Sequence, residues 1–222
     1  MEWKTVPWSS GSTNKDIVQY LFDEVLELPA YLEQYDRFQR LIESSASPIE
    51  ITSTHTCLSS WATKIEQRLF AWYRRWVDNY PGGKPVEHIS HSDNSFPLFR
   101  CRGTDTQVII VPTIFMYPDF TLALALCIYY AACLILARSD VRTVGFMHPD
   151  IRYQFACKIC RSMEYCFRTS PGQSISRIAF TLRVAYEFLP EGVERQYVRE
   201  FCALVVAKYR LRIWENIGNI PF

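Results

Sequence analysis

Two cysteines three positions apart are the clearest candidates for chemistry in this 222-residue sequence. Cys157 and Cys160 form a CxxC motif, a spacing that in other proteins holds zinc or forms a redox pair. Zinc would need a second pair of ligands, but Cys166 follows only after five residues and Cys202 is remote. Because residues three apart on a helix share one face, the motif favours two packed helical thiols. We predict neither a metal site nor a cofactor.

A second group of possible ligands lies in the polar stretch between Pro85 and Pro97. His88 and His91, with Glu87 beside them, have a spacing that could hold a metal ion. A helix is needed to aim both imidazole rings reliably, and the flanking prolines indicate a short irregular segment instead. We therefore predict a solvated loop at these histidines.

No catalytic residue can be nominated from the motifs. The sequence contains no glycine-rich phosphate loop, no GxSxG elbow and no HExxH pair. A nucleophile and its base meet in space, so one sequence does not reveal them. The sequence therefore gives no positive support for an enzyme, and the question stays open.

The segment from Trp72 to Trp76 (WYRRW) mixes aromatic and basic side chains, as nucleic-acid surfaces do. On a helix, however, the two tryptophans share an apolar stripe while Arg74 and Arg75 point elsewhere. The formal net charge of the chain is only +1. We predict core tryptophans and no direct binding of nucleic acid by this chain.

The 8 cysteines raise the question of disulfides. Met1 is followed by Glu2, Trp3 and Lys4, without the basic start and apolar run of a signal peptide. Several cysteines also lie within apolar helical patterns, where a free thiol behaves as a small apolar group. We predict reduced cysteines in an intracellular protein.

The elements that must position these side chains are almost all helical. Apolar residues recur at spacings of three and four over most of the chain, and Pro and Gly interrupt the pattern at Pro81–Pro85, Pro171 and Pro190. The predicted helices cover 15–28, 31–42, 54–80, 118–139, 150–168, 173–188 and 191–215. Between them, Val108–Val111 is a possible short extended piece that is too isolated to found a sheet. The fold class is all-α: a single-domain bundle of about seven helices over residues 1–222.

The run Phe120–Ala137 has no charged residue over 18 positions, which is near the minimum for a membrane span. A helix that is apolar all round also suits the centre of a large bundle. Because amphipathic helices are predicted on both sides to surround it, we favour a buried central helix and predict no membrane association.

A ligand pocket, if the bundle has one, is expected between this central helix and its neighbours, where aromatic residues concentrate. The aromatic side chains that could line it can equally be plain core. They are Trp72, Trp76, Tyr129, Tyr130, Tyr165 and Tyr186.

Several stretches together resemble the middle-to-C-terminal region of fungal zinc-cluster transcription factors, and the similarity spans nearly the whole chain. The residues that carry it are Glu2–Trp8, Leu26–Pro29, Tyr129–Ala132, Leu136–Arg138, Ala156–Tyr165, Pro171–Gln173, Arg183–Pro190 and Ala207–Trp214. The resemblance implies a helical, nuclear regulatory region that acts in transcription through effector sensing, self-association or activator contacts. The six-cysteine DNA-binding module of that family has no counterpart in this sequence, so no zinc ligands carry over.

The first hypothesis is accordingly a non-enzymatic transcription-regulatory domain that binds a small effector or a protein partner. The alternative is a standalone enzyme or small-molecule carrier of fungal secondary metabolism on the same helical fold, because fold does not fix function. That alternative predicts a closed cavity with at least one buried ionisable group out of place, with Glu164 and Glu187 as first candidates. A third hypothesis is a scaffold that forms a homodimer through the arginine-rich helix 191–215.

Overall fold

The computed structural model describes residues 15–44, 46–90, 95–103, 108–170 and 172–211, together with Trp214 and Ile217. The chain divides into two compact units. The first unit comprises Met1–Pro81 with Leu136–Phe146, and the second comprises Gly82–Ile135 with Met147–Phe222.

Three helices form most of the first unit. They are α1 (Ile17–Val25), α2 (Leu28–Glu43) and α3 (Pro48–Trp72), and a π-helical turn continues α3 over Tyr73–Val77. Asp16 begins α1 through a capping box, in which its carboxylate accepts from the Gln19 N–H and the Gln19 side chain accepts from the Asp16 N–H, both at 2.8 Å. Helix α3 packs against both α1 and α2, and the apolar residues between them are buried.

The second unit combines four helices with four short strands. The strands are β1 (Val86–His88), β2 (Cys101–Arg102), β3 (Ile109–Ile110) and β4 (Ile114–Met116); the helices are α4 (Phe120–Arg138), α5 (Pro149–Thr169), α6 (Ala179–Phe188) and α7 (Val193–Tyr209). Antiparallel pairing joins β1 to β4 and β2 to β3 in two separate ladders. Helix α5 contacts both α6 and β4, so α6 and the β1–β4 ladder both pack against it.

Helix α4 is the predicted central apolar helix. By length and composition it is the one helix among the described residues able to cross a membrane, and 83% of its most apolar window is buried inside the protein. Every residue from Leu122 to Leu134 is buried. Uniform burial explains why the sequence shows apolar residues on all faces of this helix.

The all-α class and the number of helices are confirmed: the described residues contain seven α-helices. Helix α3 begins at Pro48, six residues before the predicted start. Proline is favourable there because an N–H in the first turn of a helix has no intrahelical partner, so the missing N–H costs no hydrogen bond. The predicted helix 173–188 is a 3₁₀ helix until Ile178. Helix α7 ends at Tyr209, before the predicted 215, and Arg210 follows it with a left-handed φ of 55°.

One prediction about the irregular stretch was wrong. Val108–Val111 does take part in a ladder, since β3 pairs with β2 in the register Cys101–Ile110 and Arg102–Ile109. The partner strand has only two residues, which is too short for an alternating pattern to appear in the sequence.

Candidate protein-interaction site

The segment Val108–Val111 exposes four adjacent aliphatic side chains. Each of them is between 46% and 59% exposed. Successive side chains of a strand point to opposite faces, so both faces of this segment are about half exposed. Single exposed aliphatic residues are ordinary, but a contiguous exposed apolar surface is typical of a contact with another molecule.

The backbone of this segment is paired on one side. In the two-stranded ladder, β3 has β2 as its strand neighbour and none beyond it among the described residues. The N–H of Gly103 donates to the carbonyl of Val108 at 2.8 Å and closes the hairpin next to the ladder. The segment therefore presents the edge of a sheet as well as apolar side chains, and both can bind an added strand.

The buried carboxylate of Glu194 binds the edge of β2 that faces away from β3. Glu194, in the first turn of α7, is fully buried, and its Oε1 accepts from the Tyr153 hydroxyl at 2.8 Å and from the Arg102 N–H at 3.2 Å. The Arg102 N–H also donates to the Tyr153 hydroxyl oxygen at 2.8 Å. Burial raises the pKa of Tyr153, and nearby Cys157 and Glu194 raise it further, so the phenol remains a donor. Side chains of α5 and α7 thus close the edge of β2 that faces away from β3.

The chain can approach β2 this closely because Gly192 precedes α7. Its φ is 136°, a conformation that favours glycine. A Cβ at this position would lie 3.3 Å from Nη2 of Arg102 and 3.7 Å from Oε2 of Glu194. That Oε2 is buried and has no hydrogen-bond donor among the described residues, which is an unusual state for a carboxylate.

Arg161 of α5 anchors the second ladder. Its Nε donates to the carbonyl of Thr113 and its Nη2 to the Thr113 hydroxyl, both at 2.6 Å. The same Nη2 lies 3.0 Å from Oε1 of Glu87 in β1, and the guanidinium carbon lies 4.1 Å from the ring centroid of Phe115 in β4. Hydrogen bonds from Thr113 and then Arg161 lower the pKa of Glu87. Arg161 therefore holds β1, β4 and the turn that leads from β3.

These anchors make Val108–Val111 a fixed surface and not a loose loop. Glu194 and Tyr153 fix β2 before the segment, and Arg161 fixes Thr113, two residues after it. Preorganised apolar side chains lose little conformational entropy when they bind. The arrangement suits the binding of another apolar surface.

The predicted ligand residues of the first unit are packing residues of α3 and its π-helical turn. Trp72 is 3% exposed, and its indole N–H donates to the carbonyl of Ile17 at 3.3 Å. Trp76 is half-buried and stacks on Tyr20 with 4.3 Å between ring centroids. Both tryptophans thereby join α3 to α1.

The four predicted tyrosines of the second unit have separate neighbours. Tyr129 and Tyr130 lie together, 5.6 Å apart, and both contact Phe155, at 6.5 and 5.0 Å respectively. Tyr165 contacts Tyr117 at 5.2 Å. Tyr186 is covered by two arginines of α7, and its hydroxyl accepts from one of them at 3.0 Å. The structure therefore brings Tyr129 and Tyr130 together and gives Tyr165 and Tyr186 other surroundings.

An open groove on the first unit has none of the six predicted residues in its lining. Its volume is about 680 Å³. Its lining residues are Glu27, Ser53, Thr56, Cys57, Ser60, Trp61 and Lys64. Six of the seven lining residues lie on α3 at spacings that keep them on one side of the helix, so one largely polar face of α3 forms most of the groove. The sequence shows that spacing, but a polar helix face is also the ordinary solvated face.

The structure describes all of the residues considered for metal binding except His91. Among the residues that the structure describes, no group of three or more His, Cys, Asp or Glu side chains could hold an ion. Cys157 and Cys160 are buried in α5, His88 is an exposed residue of β1, and His91 lies outside the described residues.

The buried acid that the alternative hypothesis requires is present. Glu164 is 5% exposed, accepts from Ser90 at 2.8 Å and pairs with Arg168 at 3.0 Å. The side chain of Glu187 is 25% exposed in its ion pair with Arg183, so it is less buried than expected. Glu194 is the most deeply buried of the three and was not anticipated, because its sequence position is that of an ordinary first-turn acid.

No protein-family model matches the chain, and no curated protein and no solved structure is detectably similar to it. The resemblance to a transcription-factor regulatory region therefore stays a prediction. The functional argument depends on the contacts and surfaces of the chain itself.

Proposed function

We propose that this chain is a non-enzymatic, helical regulatory domain that acts by binding a protein partner at the Val108–Val111 segment. The observation that carries the proposal is the exposure of four adjacent aliphatic side chains on an anchored strand. Covering the exposed half of each side chain would contribute on the order of 1 kcal/mol per residue. Added main-chain hydrogen bonds along β3 would give register to such a contact.

The regulatory part of the proposal is transcriptional and nuclear, and the resemblance to fungal zinc-cluster factors supports it. Because the sequence has no counterpart of the zinc-cluster module, this chain would act through proteins and not through its own contact with DNA. The formal net charge of +1 over 222 residues agrees with binding to proteins, because nucleic-acid-binding domains are usually strongly basic.

A tethering experiment tests the proposal. The chain is fused to an unrelated DNA-binding domain in a fungal host, and transcription of a reporter that carries the cognate site is measured. We expect the fusion to change reporter output and Ile109→Lys to abolish the change, since a charge at this position opposes burial of the segment. Val144→Lys is the matched control, because Val144 is 87% exposed in the first unit.

Two results would count against the proposal. One is a wild-type fusion that is abundant and nuclear but leaves the reporter unchanged. The other is an Ile109→Lys fusion that works as well as wild type. The unfolding midpoint of both variants must match wild type, so that a loss of output reports binding and not folding.

The effector version of the same hypothesis has support from the groove on α3. Its volume of about 680 Å³ lies within the range of small-molecule sites. Native mass spectrometry of protein purified from its source tests this version, since a small organic molecule released on denaturation would support it. Lys64→Glu changes a residue of the groove, and this variant should lose the bound molecule. Lys84→Glu, outside the groove, is the matched control and should keep it. A bare mass for the wild-type protein would exclude an effector that survives purification.

The enzyme or carrier alternative is favoured by one observation, the fully buried Glu194 with its unpartnered Oε2. A buried carboxylate is costly unless it is paired and hydrogen-bonded. Oε1 of Glu194 has hydrogen bonds and lies 3.8 Å from Nε of Arg102, whereas Oε2 has no donor among the described residues and is the atom available to a ligand. Glu194→Gln distinguishes the two uses. A bound metabolite that is lost in Glu194→Gln would support the alternative, whereas an unchanged, ligand-free protein would leave Glu194 as a strand anchor.

A further inference from the structure

The groove on α3 has two charged residues in its lining, Glu27 and Lys64, and only one of them is paired. Both oxygens of the Glu27 carboxylate are engaged, since Oε1 lies 2.8 Å from Nη1 of Arg68 and Oε2 accepts from the indole N–H of Trp61 at 3.2 Å. Lys64 is exposed and has no hydrogen bond or ion pair among the described residues. The groove therefore offers a ligand an ammonium group without a partner, whereas its carboxylate is already paired.

Trp61 gives the groove a flat apolar wall. Its N–H is bound to Glu27, so the indole offers a ligand only its ring. The ring of Tyr31, which is fully buried, meets the indole edge-on, with 5.9 Å between centroids and 84° between the planes. Because these two contacts hold the indole in place before a ligand binds, stacking of a flat ring on it would require little ordering of the protein.

Hydroxyl groups line the rest of the groove, and they differ in what they can still bind. The Thr56 hydroxyl donates to the carbonyl of Thr52 at 2.9 Å, so it can only accept from a ligand. Ser53 and Ser60 have no side-chain hydrogen bond among the described residues, so each can donate or accept. Because a helix rises about 1.5 Å per residue, the line from Ser53 to Lys64 is about 16 Å long. The groove is therefore long enough for a ring, its charged group and a further polar group.

We propose that this groove binds a small organic anion that carries an aromatic ring, with Lys64 contacting the anionic group and Trp61 stacking on the ring. The inference rests on the effector version of the proposed function and adds the chemical class of the effector. Charge complementarity selects this class. An anion gives Lys64 the partner that it lacks, whereas an amine would compete with Arg68 for Glu27. A neutral molecule of the same shape would gain the stacking contact alone.

The thiol of Cys57 is a reporter inside the groove. Cys57 belongs to the lining, and it is the one exposed cysteine of the eight, all of which the structure describes. Iodoacetamide should therefore alkylate the folded protein at Cys57, in the tryptic peptide Leu41–Lys64, and a molecule in the groove should slow this reaction. The protection factor is the alkylation rate without a probe divided by the rate with it, so a change in the reactivity of the thiol itself cancels.

The probes share one ring and differ in charge: naphthoate, naphthyl phosphate, naphthylmethanol and naphthylmethylamine. We expect the two anions to protect Cys57, and the more protective anion identifies the acidic group that the site prefers. The alcohol and the amine should bind about fivefold more weakly, because they lack the ion pair with Lys64 and the site is exposed to solvent.

Variants of Lys64 make the outcome decisive. Lys64→Met should bind naphthoate about fivefold more weakly than wild type, and its reporter peptide extends to Arg68. Lys64→Arg keeps the positive charge and should keep the protection. Lys84→Met, which changes a lysine outside the groove, is the matched control and should also keep it.

Three results would overturn the inference. Protection by the amine or the alcohol equal to that by naphthoate would show that the ligand class is wrong, although the groove would still be an effector site. Naphthoate binding that is unchanged in Lys64→Met would show that Lys64 does not contact the anion. Absence of protection by any probe would overturn the inference together with the effector version, whereas partner binding at Val108–Val111 is tested separately by the tethering experiment.

Discussion

Replacing Arg161 by methionine should release the β1–β4 ladder from α5 without disturbing the first unit. Methionine keeps much of the length of the arginine stem and removes its guanidinium. That group donates twice to Thr113 at 2.6 Å, pairs with Glu87 at 3.0 Å and covers the ring of Phe115. The Arg161 side chain is only 15% exposed, so water replaces these contacts incompletely.

The size of the effect follows from the separate contacts. Hydrogen bonds to a charged group contribute about 1.5–3 kcal/mol each, and the contact with Phe115 contributes about 1 kcal/mol. The pair with Glu87 adds little, because Glu87 is 57% exposed. Allowing for non-additivity and for the apolar contact that methionine regains, we expect a local destabilisation of roughly 3 kcal/mol. That value corresponds to an acceleration of local opening by about a hundredfold.

Amide hydrogen exchange is the appropriate assay, because it resolves local opening in a chain with two compact units. Exchange in β1 and β4 should accelerate in Arg161→Met while exchange in α3 stays unchanged. Arg37→Met is the matched control, since Arg37 makes an exposed ion pair with Glu33 and its loss should change stability by less than about 0.5 kcal/mol. Unchanged exchange in both strands would refute the anchoring role of Arg161.

Two further predictions concern the first unit and the central helix. Burial opposes the charge of Asp140, but hydrogen bonds from Arg142 and from the Phe146 N–H outweigh it and lower the Asp140 pKa below the ordinary 3.8. The charged form thus stabilises the fold above that pH, and this contribution is lost as the pH falls through the lower folded-state pKa. Asp140→Asn should therefore be less stable at neutral pH, and its free energy of unfolding in urea should fall less steeply than that of wild type as the pH is lowered. An unchanged fall with pH would contradict this. Leu134 in α4 is fully buried, so Leu134→Ala should lower the free energy of unfolding by about 2–5 kcal/mol. The change is measured as a fall in the urea midpoint. A decrease of less than about 1 kcal/mol would mean that the core around α4 is loosely packed.

Much of the fold was predictable because its signals are local. The prolines and glycines after Tyr80 and around Pro190 mark helix ends wherever they stand in a chain, and the structure places ends there. The uniform apolar character of Phe120–Ala137 likewise indicated a buried helix. The start of α3 was missed although Ser47, Pro48 and Glu50 have the usual sequence pattern of a helix start, because the first turns of α3 bury no residue and carry no apolar stripe.

Only part of the candidate interaction site could be predicted from the sequence. The β-branched run Val108–Val111 indicated an extended segment, and β3 lies within it. Nothing in the sequence indicated that all four side chains would be exposed, because such runs are more often buried. Glu194, Tyr153 and Arg161 carried no signal at all, since each is an ordinary residue of an amphipathic helix until the strands are placed against it.

The sequence by itself determined the helical class, most helix boundaries and the central position of α4, because periodicity and helix-breaking residues act over one or two turns. Tertiary structure alone decided which aromatic residues became neighbours and which carboxylate was buried. Those outcomes depend on contacts between residues far apart in the chain, and a helical period does not encode them. For the same reason, Tyr165 and Tyr186 have neighbours that the sequence did not indicate, and the exposure of all four side chains of Val108–Val111 appeared only with the fold.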